Sequence, residues 1–255
     1  MVITGTTMET TPATITRLEA SPAGASRGGS RAGSRVLAVV ALGAALPLAY
    51  LGVTRFAAAL AEARAAGVVA TLENGGQPSP QQLRDAIGLL ESAQRWRPAR
   101  DGRLALGLLH QGMAAVPSLT ANVREAEQEA ASGEFRAGLA LAPLDALTWT
   151  RLGWMALRRG QPSEALQMLR FSTLIAAYAP DLLWWRLDLW LRLMPYLEDG
   201  DASLLRRQLG FAFDADPNRL AGLASRHQVL FHVRRELATA GYRSSRLDAY
   251  FPALP

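Results

Sequence analysis

An acidic cluster of Glu198, Asp199 and Asp201 surrounds Gly200 and is the first candidate for chemistry in this chain. Two carboxylates can share acid–base work when their surroundings drive their pKa values apart. The same cluster is typical of a polar turn between two helices, in which Asp201 caps the helix that follows. We favour the turn, because a helix is expected on each side of it.

Metal binding and nucleophilic catalysis have few candidate residues. The chain has no Cys, which excludes thiol catalysis, disulfides, zinc fingers and iron–sulfur clusters. Its three histidines are His110, His227 and His232. The five-residue separation of the last two does not place them on one helical face for a shared metal. His227 lies among apolar residues, and we expect it to be a core or interface histidine.

One sequence matches a hydrolase motif, the G-x-S-x-G pattern from Gly24 to Gly28. That motif needs a strand before it and a helix after it to hold the serine in a strained turn. Here it falls in a Ser- and Gly-rich stretch, so we interpret it as a chance match. The chain is therefore predicted to have no catalytic residue, no cofactor and no metal site, and not to be an enzyme.

Tryptophan and arginine are concentrated in residues 181–197, DLLWWRLDLWLRLMPYL. These residue types dominate the binding energy of many protein interfaces. They also suit a central helix that is buried on most sides, with Arg186 reaching out to solvent, or contact with a bilayer surface. The candidate partner-binding residues are Trp149, Trp184, Trp185, Arg186 and Trp190.

The basic residues are all arginine, 27 of them against 22 Asp and Glu, for a net charge of +5. A GC-rich genome explains this bias, and the arginines are scattered, so the charge does not indicate nucleic-acid binding. Several arginines converging in a groove would suit an acidic glycan or a partner's carboxylate, because the guanidinium fork matches a carboxylate.

Residues 36–53, VLAVVALGAALPLAYLGV, form an apolar run without a charge. At about 1.5 Å per residue the run is about 27 Å long, which is near the hydrocarbon thickness of a bilayer. A buried helix of a soluble domain would rarely be so apolar. A cleaved signal peptide is the open alternative, although the leader before the run is long for one.

The arginines that flank this run favour one orientation. Four precede it and two follow it closely, so the N-terminus is expected inside and the C-terminal part outside. The expected location is a bacterial inner membrane, with a single pass, a cytoplasmic N-terminus and a periplasmic C-terminal domain.

Beyond residue 54 the chain shows helical periodicity, with the last long helix expected over 219–240, and no convincing strand pattern. Ser79, Pro80 and Gln82 form a helix start signal, in which Ser79 caps and Gln82 bonds back. A small–large–small pattern then recurs with fixed internal spacing, each time ahead of a proline. Three copies are Ala86/Leu90/Ala93, Ala131/Phe135/Gly138 and Ala165/Leu169/Ser172, and a fourth triplet, Leu205/Leu209/Ala212, has the same spacing but begins with a large residue.

The best-defined unit covers residues 145–180. Its first helix contains Trp149, Leu152, Gly153 and Ala156, and its second contains Ala165 and Leu169 ahead of Pro180. This resembles the tetratricopeptide (TPR) consensus, W-x2-L-G-x2-Y followed by A-x3-F and Pro. Ala156 replaces the usual Tyr, and Pro180 comes three residues late. The resemblance covers roughly 80–217 and implies an all-α, TPR-like helical-hairpin solenoid, preceded by one transmembrane helix, with a groove for protein partners.

The expected organisation has five parts. They are a disordered tail at 1–35, a transmembrane helix at 36–54, a membrane-proximal helix and linker at 55–79, a TPR-like domain at 80–241 and an irregular tail at 242–255. This layout also resembles accessory proteins of bacterial capsule and exopolysaccharide assembly.

The resemblance implies a membrane-anchored adaptor that organises a cell-envelope assembly through protein partners. The specific expectation is polysaccharide synthesis or export, with an acidic polysaccharide as a further partner. The alternative is a binding module for an anionic glycan or lipid headgroup. Nucleic acid is not expected as a partner.

Overall fold

The computed structural model describes residues 31–251, with side chains described from Gly43 onward. The chain divides into two units, residues 1–50 and 51–255. The described part contains eleven α-helices and one 3₁₀ turn at Met194–Tyr196. The helices are α1 (Arg31–Glu73), α2 (Pro80–Trp96), α3 (Arg100–Ala114), α4 (Ala121–Leu141), α5 (Ala146–Arg158), α6 (Pro162–Ile175), α7 (Pro180–Arg192), α8 (Asp201–Ala215), α9 (Pro217–Arg226), α10 (Leu230–Thr239) and α11 (Ser244–Leu247).

Helix α1 contains the apolar run and continues through Pro47. It begins at Arg31, within the stretch expected to be a disordered tail, while residues 1–30 and the G-x-S-x-G match lie outside the described residues. From Gly43 onward the helix is long and apolar enough to cross a membrane, a property that signal sequences share. The side chains of 36–42 lie outside the described residues.

In the second unit, the C-terminal part of α1 packs on α2 and α3. Ala65 is buried with Leu83, Leu90 and Leu106, and Leu72 lies against the same cluster. The residues just after the expected membrane span are therefore part of the folded helical domain. A capping box starts α2, as predicted: Ser79 Oγ accepts from the N–H of Gln82, and the Ser79 N–H donates to the Gln82 side chain.

The helices of the second unit pair in chain order. Helix α3 packs on α4 and α5 on α6, and smaller contacts join α7 to α8 and α9 to α10. Each pair also contacts the next, through α2–α3, α4–α5, α6–α7 and α8–α9. The prediction of an all-α, TPR-like helical-hairpin solenoid is confirmed by this arrangement.

The four triplets at this spacing lie on the second helices of successive hairpins, α2, α4, α6 and α8, and all twelve of their residues are buried. Each helix ends three residues after the last small residue, and the N–H of the next residue, the C-cap, donates to that small residue's carbonyl. The small residues allow the neighbouring helix to approach closely, and the large residue fills the space between them.

The unit with the clearest TPR consensus shows why its glycine is needed. A Cβ on Gly153 of α5 would lie 3.0 Å from Cδ2 of Leu189 on α7. In the same hairpin the buried hydroxyl of Ser172 donates to the carbonyl of Ala146, and it lies 2.7 Å from the hydroxyl of Thr150. Close packing and buried hydrogen bonds thus join α5 to α6.

The acidic cluster at the start of α8 is structural. Gly200, not Asp201, is the N-cap, so the predicted cap is wrong. Asp201 is buried, accepts the N–H of Glu198, and binds Arg170 of α6 at 2.5 Å from Nε. Because the ion pair joins α6 to the turn before α8, it fixes one hairpin against the next.

Two differences from the sequence expectation lie in the C-terminal part. A continuous helix expected over 219–240 is broken between α9 and α10, where Gln228 has a left-handed φ of 59°. The stretch expected to be an irregular tail contains α11, and it buries Leu247 and Phe251 in the main core. Leu247 and Phe251 are separated by a single helical turn, which is too short a pattern to reveal a helix in the sequence.

Candidate functional site

The first helices of the hairpins, α1, α3, α5, α7 and α9, carry the two pockets that are best suited to a partner. We refer to their shared surface as the first-helix face. The N-terminal pocket is lined by α1, α3 and α5 together with Leu90 of α2, and the C-terminal pocket is lined by α7 and α9.

The N-terminal pocket has a volume of about 510 Å³ and a largely apolar lining. Val69 of α1, Leu104 and Leu108 of α3 and Leu147 of α5 contribute to it. Exposed Ala70 lies at its edge on α1. A pocket of this size and character suits apolar side chains of a partner.

Charged groups at the rim of the N-terminal pocket differ in how well they are paired. Arg100 donates to Asp145 at 2.9 Å. Burial would raise the pKa of the Asp145 carboxyl, but the hydrogen bond from Arg100 and those within the α5 cap hold it below 3.8. Burial lowers the pKa of the Arg151 guanidinium, which lies 5.8 Å from the ring centre of Phe135 and forms no ion pair with any described residue.

The C-terminal pocket is smaller, about 290 Å³, and combines indole rings with guanidinium groups. Trp184 and Trp185 of α7 are half-buried, and Leu223 of α9 is buried between the helices. The guanidinium of Arg219 stacks over Trp184 at 4.4 Å from the ring centre. Arg226 lines the same pocket from the end of α9.

The wall of the C-terminal pocket is built around Asp188 of α7. Nε2 of His227, just after α9, lies 2.6 Å from one carboxylate oxygen, and Nε of Arg192 donates to the other at 3.1 Å. Arg192 also stacks over Trp154 of α5 at 5.2 Å. His227 therefore holds the end of α9 against α7. This agrees with the expectation from the sequence that it is a core or interface histidine.

The five predicted partner-binding residues do not form one surface. Trp184 and Trp185 line the C-terminal pocket. Trp190 is fully buried, and its indole N–H donates to Thr173, so it belongs to the core. Trp149 lies elsewhere, with its N–H bonded to the carbonyl of Pro143 and its ring 5.0 Å from that of Phe171.

Arg186 requires a correction, because it does not reach solvent. Its residue is 0% exposed, and Nη1 donates to the carbonyl of Ala176 at the end of α6 at 2.6 Å. Nε and Nη2 have no hydrogen-bond partner, and burial lowers the pKa of the group to about 10. Arg186 is buried and bonded to the end of α6, so it holds the turn after α6 rather than a partner.

Sequence reasoning missed Arg219 and Trp154 as members of this site. The signal that could have found them is the order of the hairpins. Once α7 and α9 are both assigned as first helices, their outward residues are expected to share one surface. Without the break at Gln228, α9 is not recognisable as a separate first helix.

The other two histidines also have nearby polar partners. Nδ1 of His110 lies 2.7 Å from Glu127, and Nε2 of His232 lies 3.8 Å from Glu236. Within residues 31–251, no group of three or more His, Asp or Glu side chains is arranged to hold a metal ion.

No protein-family model and no curated protein matches this chain. Among solved structures it is similar to PilF of Pseudomonas aeruginosa, from a study titled as its functional characterization. The two are 16% identical with a TM-score of 0.46, and the match covers 76% of this chain and 81% of the other. A likeness this distant has no bearing on function or partner.

Proposed function

We propose that this protein is a membrane-anchored adaptor that binds a protein partner along the first-helix face. The observation that supports the proposal is that first helices supply most of the lining of two pockets, one apolar and one containing Trp and Arg. Such residue types in partly buried positions supply most of the energy in many interfaces. The apolar part of α1 is the proposed anchor.

The cellular setting is a finer part of the same proposal. We place the helical domain on the periplasmic side of a bacterial inner membrane, on the basis of the arginines that flank the apolar run. A cell-envelope assembly is the proposed client, with polysaccharide synthesis or export as the specific hypothesis. That hypothesis rests on the sequence layout alone.

In-cell capture with a matched pair of variants tests this function. The full-length protein, tagged at its C-terminus, is crosslinked in cells and purified in mild detergent, and co-purifying proteins are identified by mass spectrometry. Ala70→Arg places a bulky charge at the N-terminal pocket, whereas Thr71→Arg adds the same group at the next residue, which is exposed and does not line the pocket.

The expected result is a reproducible partner that is lost with Ala70→Arg and retained with Thr71→Arg. A polymerase, chain-length regulator or glycosyltransferase would support the polysaccharide hypothesis, and another envelope complex would replace it. Repeated recovery of the protein alone from the membrane fraction would reject the adaptor.

A further inference from the structure

The C-terminal pocket has more positive charge than its own carboxylate can balance. Three guanidinium groups line it, from Arg192, Arg219 and Arg226, against the single carboxylate of Asp188. That carboxylate is already engaged by Arg192 and His227. Arg219 and Arg226 form no ion pair with any residue between 43 and 251, so two cationic groups remain for a ligand.

The surroundings of these two guanidinium groups strengthen the binding of an anion to them. Arg219 is held in place by stacking on Trp184, so less side-chain freedom is lost when it binds an anion. Leu223 and the two half-buried indoles form an apolar wall beside the charges. A carboxylate that sits there is partly removed from water, where its pairing with a guanidinium is stronger than on an open surface.

The chemistry of the lining favours a peptide over a sugar. A glycan presents many hydroxyl groups, which need both donors and acceptors in the site. This lining offers guanidinium donors, and its one carboxylate acceptor is already bonded twice. No Ser, Thr, Asn or Gln lines the pocket among the described residues. The carboxylates and aliphatic stems of Asp or Glu match both the charge and the apolar wall.

We infer that the C-terminal pocket binds an Asp- or Glu-rich segment of a partner protein, with Arg219 and Arg226 pairing its carboxylates and Trp184 and Trp185 packing on their stems. This inference rests on the proposed function, because it assigns the chemistry of the partner to one part of the first-helix face. The first-helix face then contacts the partner in two ways. Apolar side chains of the partner enter the pocket at α1, α3 and α5, and its acidic side chains enter the pocket at α7 and α9.

The test uses the full-length protein in phosphatidylcholine nanodiscs and a fluorescein-labelled decapeptide of alternating Glu and Ala. Peptides with Gln or Lys in place of Glu are the matched probes, and binding is followed by fluorescence anisotropy at about 0.02 M and about 0.15 M salt. The test variant is Arg219→Gln/Arg226→Gln. The control is Arg207→Gln/Arg243→Gln, which removes two exposed charges outside the pocket.

We expect the Glu peptide to bind and the Gln and Lys peptides to bind at least about tenfold more weakly, which corresponds to about 1.4 kcal/mol. The test variant weakens Glu-peptide binding by a similar factor, and the control changes it by less than about twofold. The reversed variant, Arg219→Glu/Arg226→Glu, is expected to bind the Lys peptide better than the Glu peptide. A misfolded protein would not gain a new preference.

Three binding results would overturn the inference, and so would one result of the capture experiment. One is no saturable anisotropy change with the Glu peptide, and another is equal loss of binding in the test and control variants. The third is tighter, Arg219- and Arg226-dependent binding of tetragalacturonate, which would assign the pocket to an acidic glycan. A captured partner that depends on Ala70 but not on the two arginines would reject this inference and leave the adaptor standing. If the Glu peptide binds but no partner is captured in cells, the adaptor is rejected and the preference of the pocket for carboxylates stands.

Discussion

Replacing Asp201 by Asn, with Glu198→Gln as its control, measures how burial changes the strength of an ion pair. Both carboxylates bind the same guanidinium, because Arg170 contacts Asp201 at 2.5 and 2.7 Å and Glu198 at 2.7 Å. The Asp201 side chain is 3% exposed and that of Glu198 is 72% exposed. Each substitution removes one negative charge and nearly preserves the shape of the side chain.

The two substitutions are expected to lower the free energy of unfolding by different amounts, because only Asp201→Asn leaves a guanidinium unpaired at a largely buried position. Removing one partner of a fully buried pair costs about 3 to 5 kcal/mol. The Arg170 side chain is 27% exposed, so water compensates part of the loss, and we expect about 2 to 3 kcal/mol for Asp201→Asn. The exposed pair with Glu198 is worth less than about 0.5 kcal/mol.

The pH dependence gives an independent check. Burial alone would raise the pKa of the Asp201 carboxyl, but the hydrogen bonds from Arg170 and from the Glu198 N–H lower it below the ordinary value of 3.8. A carboxyl whose pKa is lowered on folding contributes stability that is complete above its unfolded pKa. That contribution is lost as the pH falls through the folded pKa. The difference between wild type and Asp201→Asn is thus constant near neutral pH and shrinks below about pH 4.

Urea unfolding of the full-length protein in detergent, followed by far-UV circular dichroism, measures these free energies when the slope m is unchanged. Arg170→Met completes a double-mutant cycle with Asp201→Asn, and the two costs are expected to be less than additive. An equal cost for Asp201→Asn and Glu198→Gln would refute the reasoning, as would a gap that persists at low pH.

Three further outcomes follow from the structure. Gly153→Ala is expected to lower the free energy of unfolding by about 1 to 2 kcal/mol in the same urea titration, because the added Cβ would press on Leu189. An unchanged unfolding midpoint would contradict this and show that α5 and α7 adjust freely. Arg186→Met is expected to leave stability unchanged or raise it by about 1 to 2 kcal/mol, because a buried cation with unsatisfied donors is replaced by an apolar chain, and a loss above about 1 kcal/mol would contradict this. Burial and the hydrogen bond to Asp214 raise the pKa of Tyr242 to about 12, so the stability lost in Tyr242→Phe is complete below the ordinary pKa of 10.0 and disappears as the pH rises towards 12. Ultraviolet titration of the wild type in which every tyrosine ionises near 10.0 would contradict that value.

The repeat pattern was the most informative feature of the sequence. Small and large residues recur at helical spacing because the second helix of each hairpin packs closely against a neighbouring helix at equivalent positions. Leu169 and Phe135 occupy equivalent buried positions for that reason. The Ser79 cap was equally readable, since a capping box depends on residues only three apart.

The candidate site was only partly readable from sequence. Trp184 and Trp185 lie in a pocket, but Trp190 and Arg186 on the same helix are core residues. A helix that contacts neighbours on several sides has no clear polar face, so its pattern does not tell which tryptophans are exposed. The ion pair of Asp201 was also not readable from the sequence, because its partner Arg170 is on another hairpin.

By itself the sequence determined the helical class, the paired-helix repeat and the apolar run near the N-terminus, because each depends on the spacing of residues along a single helix. The tertiary structure alone decided which side chains meet across helices. It brought Arg219 onto Trp184 and His227 onto Asp188, across separations of 35 and 39 residues. Those contacts depend on the angle at which one hairpin stacks on the next, which many side chains set together.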